Sequence, residues 1–208
     1  MAAERSVVFV VDDDRAVRTA LKRLIQSLGF AVVAFDSAKA FLEHGAHDGP
    51  ACLVLDVRMP GMSGIELQEQ LRNARRRIPV IFVTGHGSIA MSVEAMKAGA
   101  VDFIEKPVED QKLIDAINLA LQKDEASRTD MAEISGLQHR VSSLTNRERE
   151  VFRRVVSGML NKQIGFALGM SEKTVKIHRG RVMEKMQAKS LADLVRMADK
   201  IDKLTGKP

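Results

Sequence analysis

"RSVVFVVDDDRAVR", residues 5–18, sets five consecutive apolar residues, Val7 to Val11, directly against three carboxylates, Asp12, Asp13 and Asp14. Five apolar residues with no polar one among them describe a strand covered on both faces, as in a parallel sheet sandwiched between helices. The C-terminal end of such a strand opens on the rim where open α/β folds carry their sites. Carboxylates crowded there repel one another, which disfavours their charged forms unless positive charge stands beside them. A cation or a basic side chain from elsewhere in the chain is therefore expected at this spot. Asp14, just before a helical stretch that begins at Arg15, reads as the cap of that helix and not as part of the acidic cluster.

Further along, strand-like runs recur at 7–11, 31–35, 52–55, 80–83 and 101–104, with helix-like stretches at 15–28, 37–43, 64–73, 89–97 and 109–121. Regular alternation of this kind implies an α/β domain with a parallel sheet and helices on both faces. The strands end in Asp12-Asp13, Asp56 and Thr84, and the fifth runs into Lys106-Pro107. All four loops open on one rim, so these groups converge although they are distant in sequence. Carboxylates with loop oxygens suit a hard cation; Mg²⁺ takes one or two carboxylates, several waters and a phosphate oxygen. Lys106 supplies a point positive charge and Thr84 a hydroxyl donor. His86 lies beside the expected pocket with no second histidine or cysteine at ligand spacing, and reads as a rim residue. The single cysteine, Cys52, lies in the apolar run "ACLVLD" and reads as inert core packing.

The motifs "VVDDD", "LVLDVRMPGMSG", "VTGHG" and "GAVDFIEKP" resemble, in that order, the receiver domain of bacterial two-component response regulators. The resemblance covers about residues 4–123 and implies a flavodoxin-like (βα)5 domain that accepts a phosphoryl group from a sensor histidine kinase. It makes Asp56 the phosphoacceptor. Asp12 and Asp13 become the acidic pair, with Asp13 the more direct ligand of Mg²⁺, and Asp56 and the main-chain carbonyl of Arg58 complete the metal set. Thr84 and Lys106 would bind phosphoryl oxygens, and Phe103 would be the aromatic that moves on activation. The Lys106-Pro107 bond is expected to be cis. Val108, Ser88 and Ala90 depart from residues common in the family, near the helix-four, strand-five face through which a homodimer is expected to form on phosphorylation.

The chain of 208 residues has room for two small domains, and its charge is divided between them unequally. Residues 1–123 carry 15 Lys+Arg against 16 Asp+Glu, a net of −1; residues 124–208 carry 17 against 11, a net of +6. A basic C-terminal half suggests a polyanionic partner, without distinguishing nucleic acid from an acidic protein. No apolar run approaches the roughly 18–20 residues of a membrane helix. "MAAERSVV" lacks the regions of a secretory signal, and one cysteine allows no internal disulfide, so a cytoplasmic setting is expected. Between the halves, residues 124–143 place Met131, Ile134, Leu137 and Val141 at gaps of three and four, continued by Leu144, which is one stripe of a helix. Such a linker could pair with a second copy or pack on its own domains.

From Leu144 the pattern is wholly helical. Thr145 is followed three residues later by Glu148, a capping-box start. Asn161 reads as N-cap and Gly169 as the stop of a short helix; Ser171 caps a longer one reaching about Gln187, and Ser190 a fourth. Two helices joined by a short Gly-containing turn form a helix-turn-helix. On the longer helix Val175, Val182 and Met186 follow the core face, and Lys173, Thr174, Lys176, Arg179 and Arg181 point outward. Scarce aromatics, with no Trp or Tyr in the chain, speak against base stacking on single strands. A basic helix suits the major groove of duplex DNA.

"LTNREREV…GMLNKQIGFALGMSEKTVKIHRGRVMEKMQAKSLADLVRMA" resembles the LuxR-type helix-turn-helix, so the whole chain is similar to response regulators of the FixJ/NarL class. The domains expected are 1–123 receiver, 124–143 helical linker and 144–208 DNA-binding. The resemblance makes Lys176 and Ile177 base-edge readers, with Thr174, His178 and Arg179 at the phosphate backbone and Lys173 and Arg181 among the DNA contacts. Gly180 leaves a gap where relatives carry another contacting side chain. The function implied is a phosphorylation-dependent transcription regulator with promoter DNA and RNA polymerase as partners, not an enzyme beyond slow loss of its own phosphate. The alternatives are a Mg²⁺-dependent phosphohydrolase with an Asp nucleophile and a regulator independent of phosphorylation.

Overall fold

The computed structural model describes residues 6–45, 47–74, 76–85 and 89–205, with residues 203–205 described by their backbone only. The chain divides into two units, residues 1–128 and 129–208. His86, read from sequence as a rim residue, and Ser88 lie outside the described residues.

The first unit carries β1 (Val7–Val11), α1 (Arg15–Ser27), β2 (Ala31–Phe35), α2 (Ala38–Glu43), β3 (Ala51–Asp56), α3 (Gly64–Asn73), β4 (Val80–Thr84), α4 (Ile89–Lys97), β5 (Asp102–Glu105) and most of α5 (Asp110–Ser142). The five strands form one parallel sheet in the order β2-β1-β3-β4-β5. Alternation along each strand sorts its residues to two faces. Val8, Val10, Cys52, Val54, Ile81 and Val83 meet Leu21 and Ile25 of α1 and Leu113 and Ile117 of α5. Phe9, Val11, Leu53, Leu55, Val80 and Phe82 meet Phe41 of α2, Leu67 and Leu71 of α3 and Ala95 of α4. This is the flavodoxin-like arrangement expected from the sequence, and the unbroken apolar runs follow from burial on both faces. Cys52 is fully buried, and burial pushes its thiol up to about 12, which keeps it inert at neutral pH.

Caps set the helix starts. Asp14 Oδ1 accepts the amides of Ala16 and Val17 at 2.7 and 3.3 Å. Ser63 and Glu66 form a capping box at α3, and the donated Ser63 amide and hydroxyl hold the Glu66 carboxyl below the ordinary range. Where the sequence marks one helix to Leu121 and a second helical stretch after it, the structure has one helix of 33 residues. Asp124 and Arg128, one turn apart, fasten it to the sheet. The Asp124 carboxylate is buried and accepts from Ala51 N at 2.9 Å and Arg128 Nε at 2.6 Å. The Arg128 guanidinium also donates to the carbonyls of Asp48 and His47 at 2.9 and 3.1 Å.

The second unit adds α6 (Asn146–Val156), α7 (Asn161–Leu168), α8 (Glu172–Met186) and α9 (Leu191–Thr205). Leu144, Val151, Val155, Ile164, Val175, Val182, Met186 and Leu194 form its core. Thr145 and Glu148 make the expected capping box. Glu148, 2% exposed, also accepts from Lys185 Nζ at 2.6 Å. That ammonium, against the opposing effect of burial, and the Thr145 amide bring its carboxyl down to about 2. Gly169 ends α7 in the left-handed region at φ 65°, and Ser190 caps α9 through the Asp193 amide at 3.1 Å. The start of α7 differs from the sequence reading: Leu160 holds the N-cap position, and its amide donates to Gln163 Oε1 at 2.8 Å. Asn161 is the first helical residue, and its side chain is engaged elsewhere. Within this unit α5 is tied down by Lys200 Nζ to Glu133 at 2.7 Å and by Arg140 Nη1 to the Met186 carbonyl at 3.3 Å.

Candidate functional sites

Parallel topology brings the ends of β1, β3, β4 and β5 to one rim. Asp12 follows β1, Asp56 ends β3, Thr84 ends β4 and Lys106 follows β5. Asp12, Asp56 and Thr84 are 1%, 6% and 1% exposed, and two carboxylates so deeply buried require a partner. The partner is Lys106, whose Nζ donates to Asp12 Oδ2 and Asp56 Oδ1, both at 2.8 Å. Its amide donates to the Thr84 carbonyl at 2.8 Å, and the Lys106–Pro107 peptide is cis. The positive charge required beside the acidic stretch of β1 is thus supplied from residue 106.

Burial raises the Asp12 carboxyl above its ordinary range, and the bond from Lys106 only partly offsets this. Burial alone would lower the Lys106 ammonium; its hydrogen bonds to Asp12 and Asp56 outweigh that and hold it high. The second oxygens are also engaged: Asp12 Oδ1 accepts the Asp14 amide at 2.9 Å, and Asp56 Oδ2 the Arg58 amide at 2.8 Å. Asp13 differs from its neighbour in being exposed. Phe103, half-buried on β5, lies with its ring centroid 6.2 Å from that of Phe82. It lines a cleft of about 710 Å³ with Ile89, Asp102, Lys106 and Lys112.

Two residues that shape this rim were not singled out from sequence. Arg18, one turn into α1, donates from Nη1 to the carbonyls of Asp12 and Asp13 at 2.6 and 3.2 Å, fixing the path of the acidic loop. Gly64 begins α3 so close to β3 that a Cβ there would stand 2.2 Å from the Asp56 carbonyl oxygen. The Ser-Gly pair at the helix start was the available signal for Gly64; for Arg18 there was none. Oxygen donors of this kind fit a small hard cation, which needs only one or two carboxylates. Among the described residues no group of three His, Cys, Asp or Glu side chains stands in a ligand arrangement.

In the second unit, α7, a turn at Gly169 and α8 form the helix pair. Lys173, Lys176, Ile177 and Gly180, spaced i, i+3, i+4 and i+7, share one exposed face with Arg181 at its edge. Ile177 is 51% exposed, a large apolar side chain turned from the core. Thr174, His178 and Arg179 are half-buried on the flanks. The Thr174 hydroxyl lies 2.7 Å from Ser171 Oγ, and His178 Nδ1 is buried without a partner. Arg179 Nη1 donates to Asn161 Oδ1 at 3.1 Å. Asn161, read from sequence as a cap, is therefore a missed member of this surface.

A parallel five-stranded domain with an acid–lysine rim, followed by a helical unit with a basic helix pair, defines a two-part regulator. Residues 8–118 match the response regulator receiver domain and residues 142–198 the luxR family of bacterial regulatory proteins. The chain belongs to the two-component response regulators that carry a LuxR-type DNA-binding domain. It is 47% identical to nodulation protein W of Bradyrhizobium diazoefficiens over 95% of this chain and 87% of that one. It is 47% identical to the transcriptional regulatory protein FixJ of Rhizobium meliloti over 92% and 94%. Among solved structures, the response regulator StyR is 49% identical with a TM-score of 0.84, covering 95% of this chain and all of that one. No helix among the described residues is long and apolar enough to cross a membrane.

Proposed function

We propose that this regulator is switched by phosphorylation of Asp56 by a partner sensor histidine kinase, and that phosphorylation promotes homodimers that act at promoter DNA in the cytoplasm. The observation that carries the reading is the bridge of Lys106 Nζ between Asp12 and Asp56. It sets a fixed positive charge beside a carboxylate at a strand end. In the reaction an Asp56 oxygen attacks phosphorus, an O–P bond forms, and the bond from phosphorus to the donor's leaving group breaks. Lys106 swings from the carboxylate pair to the incoming phosphoryl oxygens and stabilises their charge. Thr84 offers its hydroxyl to the same group, and Phe103 shifts on β5 as Thr84 moves.

Asp12, Asp13, Asp56 and the Arg58 carbonyl would hold Mg²⁺, which when bound screens the phosphoryl dianion from the carboxylates. Asp13, exposed and not bridged by Lys106, is the carboxylate most available to it. The domains are the receiver at 1–123, a helical linker at 124–143 and the DNA-binding domain at 144–208. Lys176 and Ile177 read base edges in the major groove, and Lys173, Thr174, His178, Arg179 and Arg181 contact or border the backbone. RNA polymerase is the downstream partner, and the only turnover is slow hydrolysis of the protein's own aspartyl phosphate.

Asp56→Asn tests the acceptor. Incubation with radiolabelled acetyl phosphate and Mg²⁺ should label the wild-type protein and leave the variant unlabelled; equal labelling of both would remove Asp56 from the mechanism. Footprinting with and without the phosphodonor should show protection of duplex sites that strengthens on phosphorylation.

A further inference from the structure

Arg179 stands apart from the other basic residues of α8. Lys173, Lys176 and Arg181 are exposed, whereas Arg179 is half-buried on the flank and bonded to Asn161 at the start of α7. Asn161 has no capping duty, because Leu160 holds that position and Gln163 accepts its amide. Among the described residues, no carboxylate lies within ion-pair distance of Arg179. The contrast within the same unit is sharp: Lys185 is neutralised by the buried Glu148 at 2.6 Å. A carboxylate at the place of Asn161 would have offset the charge of Arg179, as Glu148 does for Lys185. A neutral amide does something different: it orients the guanidinium and leaves the whole positive charge available to a polyanion.

We propose that Asn161 is a positioning residue for DNA binding, holding the Arg179 guanidinium ready for a phosphate of the duplex backbone. The proposal rests on the reading that α8 lies against duplex DNA. A guanidinium is a rigid planar fork of five N–H donors, so fixing Nη1 fixes the direction of the others. A free arginine gives up rotamer freedom when it binds; one already held by Asn161 has given up part of it on folding, and the difference appears as affinity. Because phosphate contacts carry no base information, the gain is expected on any duplex. The contact also joins the two helices of the motif, so the distance from Arg179 to the backbone is set by α7 as well as by α8.

The test measures binding of the full-length protein to a mixed-sequence duplex of about 30 base pairs by fluorescence anisotropy. Salt is varied from about 50 to 200 mM, the range over which backbone contacts weaken steeply. Arg179→Ala should weaken binding and reduce the slope of log affinity against log salt by about one. Asn161→Ala should weaken binding about three- to tenfold with the slope unchanged, and should add nothing in the Arg179→Ala background. Asn161→Asp keeps the acceptor but neutralises Arg179, and should lower the slope as Arg179→Ala does while leaving the melting temperature at or above wild type. An equal loss from Asn161→Ala with and without Arg179 would overturn the proposal in favour of a role in folding. So would an Asn161→Ala protein that binds as wild type while Arg179→Ala binds weakly. If Arg179→Ala itself binds as wild type, the placing of Arg179 at the backbone fails, and the proposal with it.

Discussion

Gly64 shows how a single side-chain hydrogen can govern the candidate pocket. Its missing Cβ would stand 2.2 Å from the backbone oxygen of Asp56, and neither partner is a flexible side chain able to move away. Gly64→Ala should therefore displace the start of α3 or the end of β3, costing about 1–3 kcal/mol as overpacking does; a lower urea midpoint with unchanged slope would register it. Glu148 offers a second residue-scale test. Its folded carboxyl is lowered from 4.5 to about 2, chiefly by Lys185, so the unfolded chain takes up a proton first as pH falls. The stability this contributes, about 2–3 kcal/mol, is complete above pH 4.5 and is lost as pH drops towards 2. Urea denaturation at pH 6 and pH 3 should show the second unit weakening, and Glu148→Gln should be less stable at pH 6 with a flatter acid limb. The motif "LTNRE" makes the capping box legible in sequence. Lys185, 37 positions away, is not, because only the packing of α8 on α6 brings it there.

At the scale of elements, helix α5 was the least legible. Its apolar positions mark a helix on either side of residues 122–124, but nothing local says whether the two parts are one. Asp124 and Arg128 are an ordinary i,i+4 pair in sequence; the fold turns them into a clasp on the Ala51 amide and two carbonyls. Arg128→Ala would leave a buried carboxylate with one donor fewer, and should destabilise the first unit by about 2 kcal/mol, with faster amide exchange at Ala51. Helix α8 carries the opposite case. Gly180 sits in its interior with open space around it, so Gly180→Ala should stabilise the second unit by about 0.5–1 kcal/mol through helix propensity. Thermal melting would check it. The start of α7 was misread because Asn is a good N-cap by intrinsic preference. Here the side chain of Gln163 supplies the cap bond instead, and Asn161 Oδ1 goes to Arg179.

For the whole molecule, two separate cores and a division of charge describe the labour. Residues 1–128 hold 16 Lys+Arg and 18 Asp+Glu, a net of −2, while residues 129–208 hold 16 and 9, a net of +7. Cations released from DNA on binding set how affinity falls with salt. A fragment of residues 129–208, which contains its own core, should therefore bind duplex DNA with the salt slope of the full-length protein. Residues 1–128 should not bind. A fragment slope smaller by one or more would mean that the first unit also touches the backbone.

The sequence by itself determined the local choices: five apolar strands, the caps at Asp14, Thr145, Ser171 and Ser190, and the basic stripe of α8. Each depends on neighbours within about a turn, where propensity and periodicity act. It also placed Asp12, Asp56, Thr84 and Lys106 on one rim, because parallel connections put every strand end on the same side. Tertiary structure alone decided which atoms meet there. Lys106 bridges two carboxylates and leaves Asp13 exposed, Gly64 abuts the Asp56 carbonyl, and Asn161 holds Arg179. Those pairings depend on distances between elements far apart in the chain, which packing sets and no local pattern encodes.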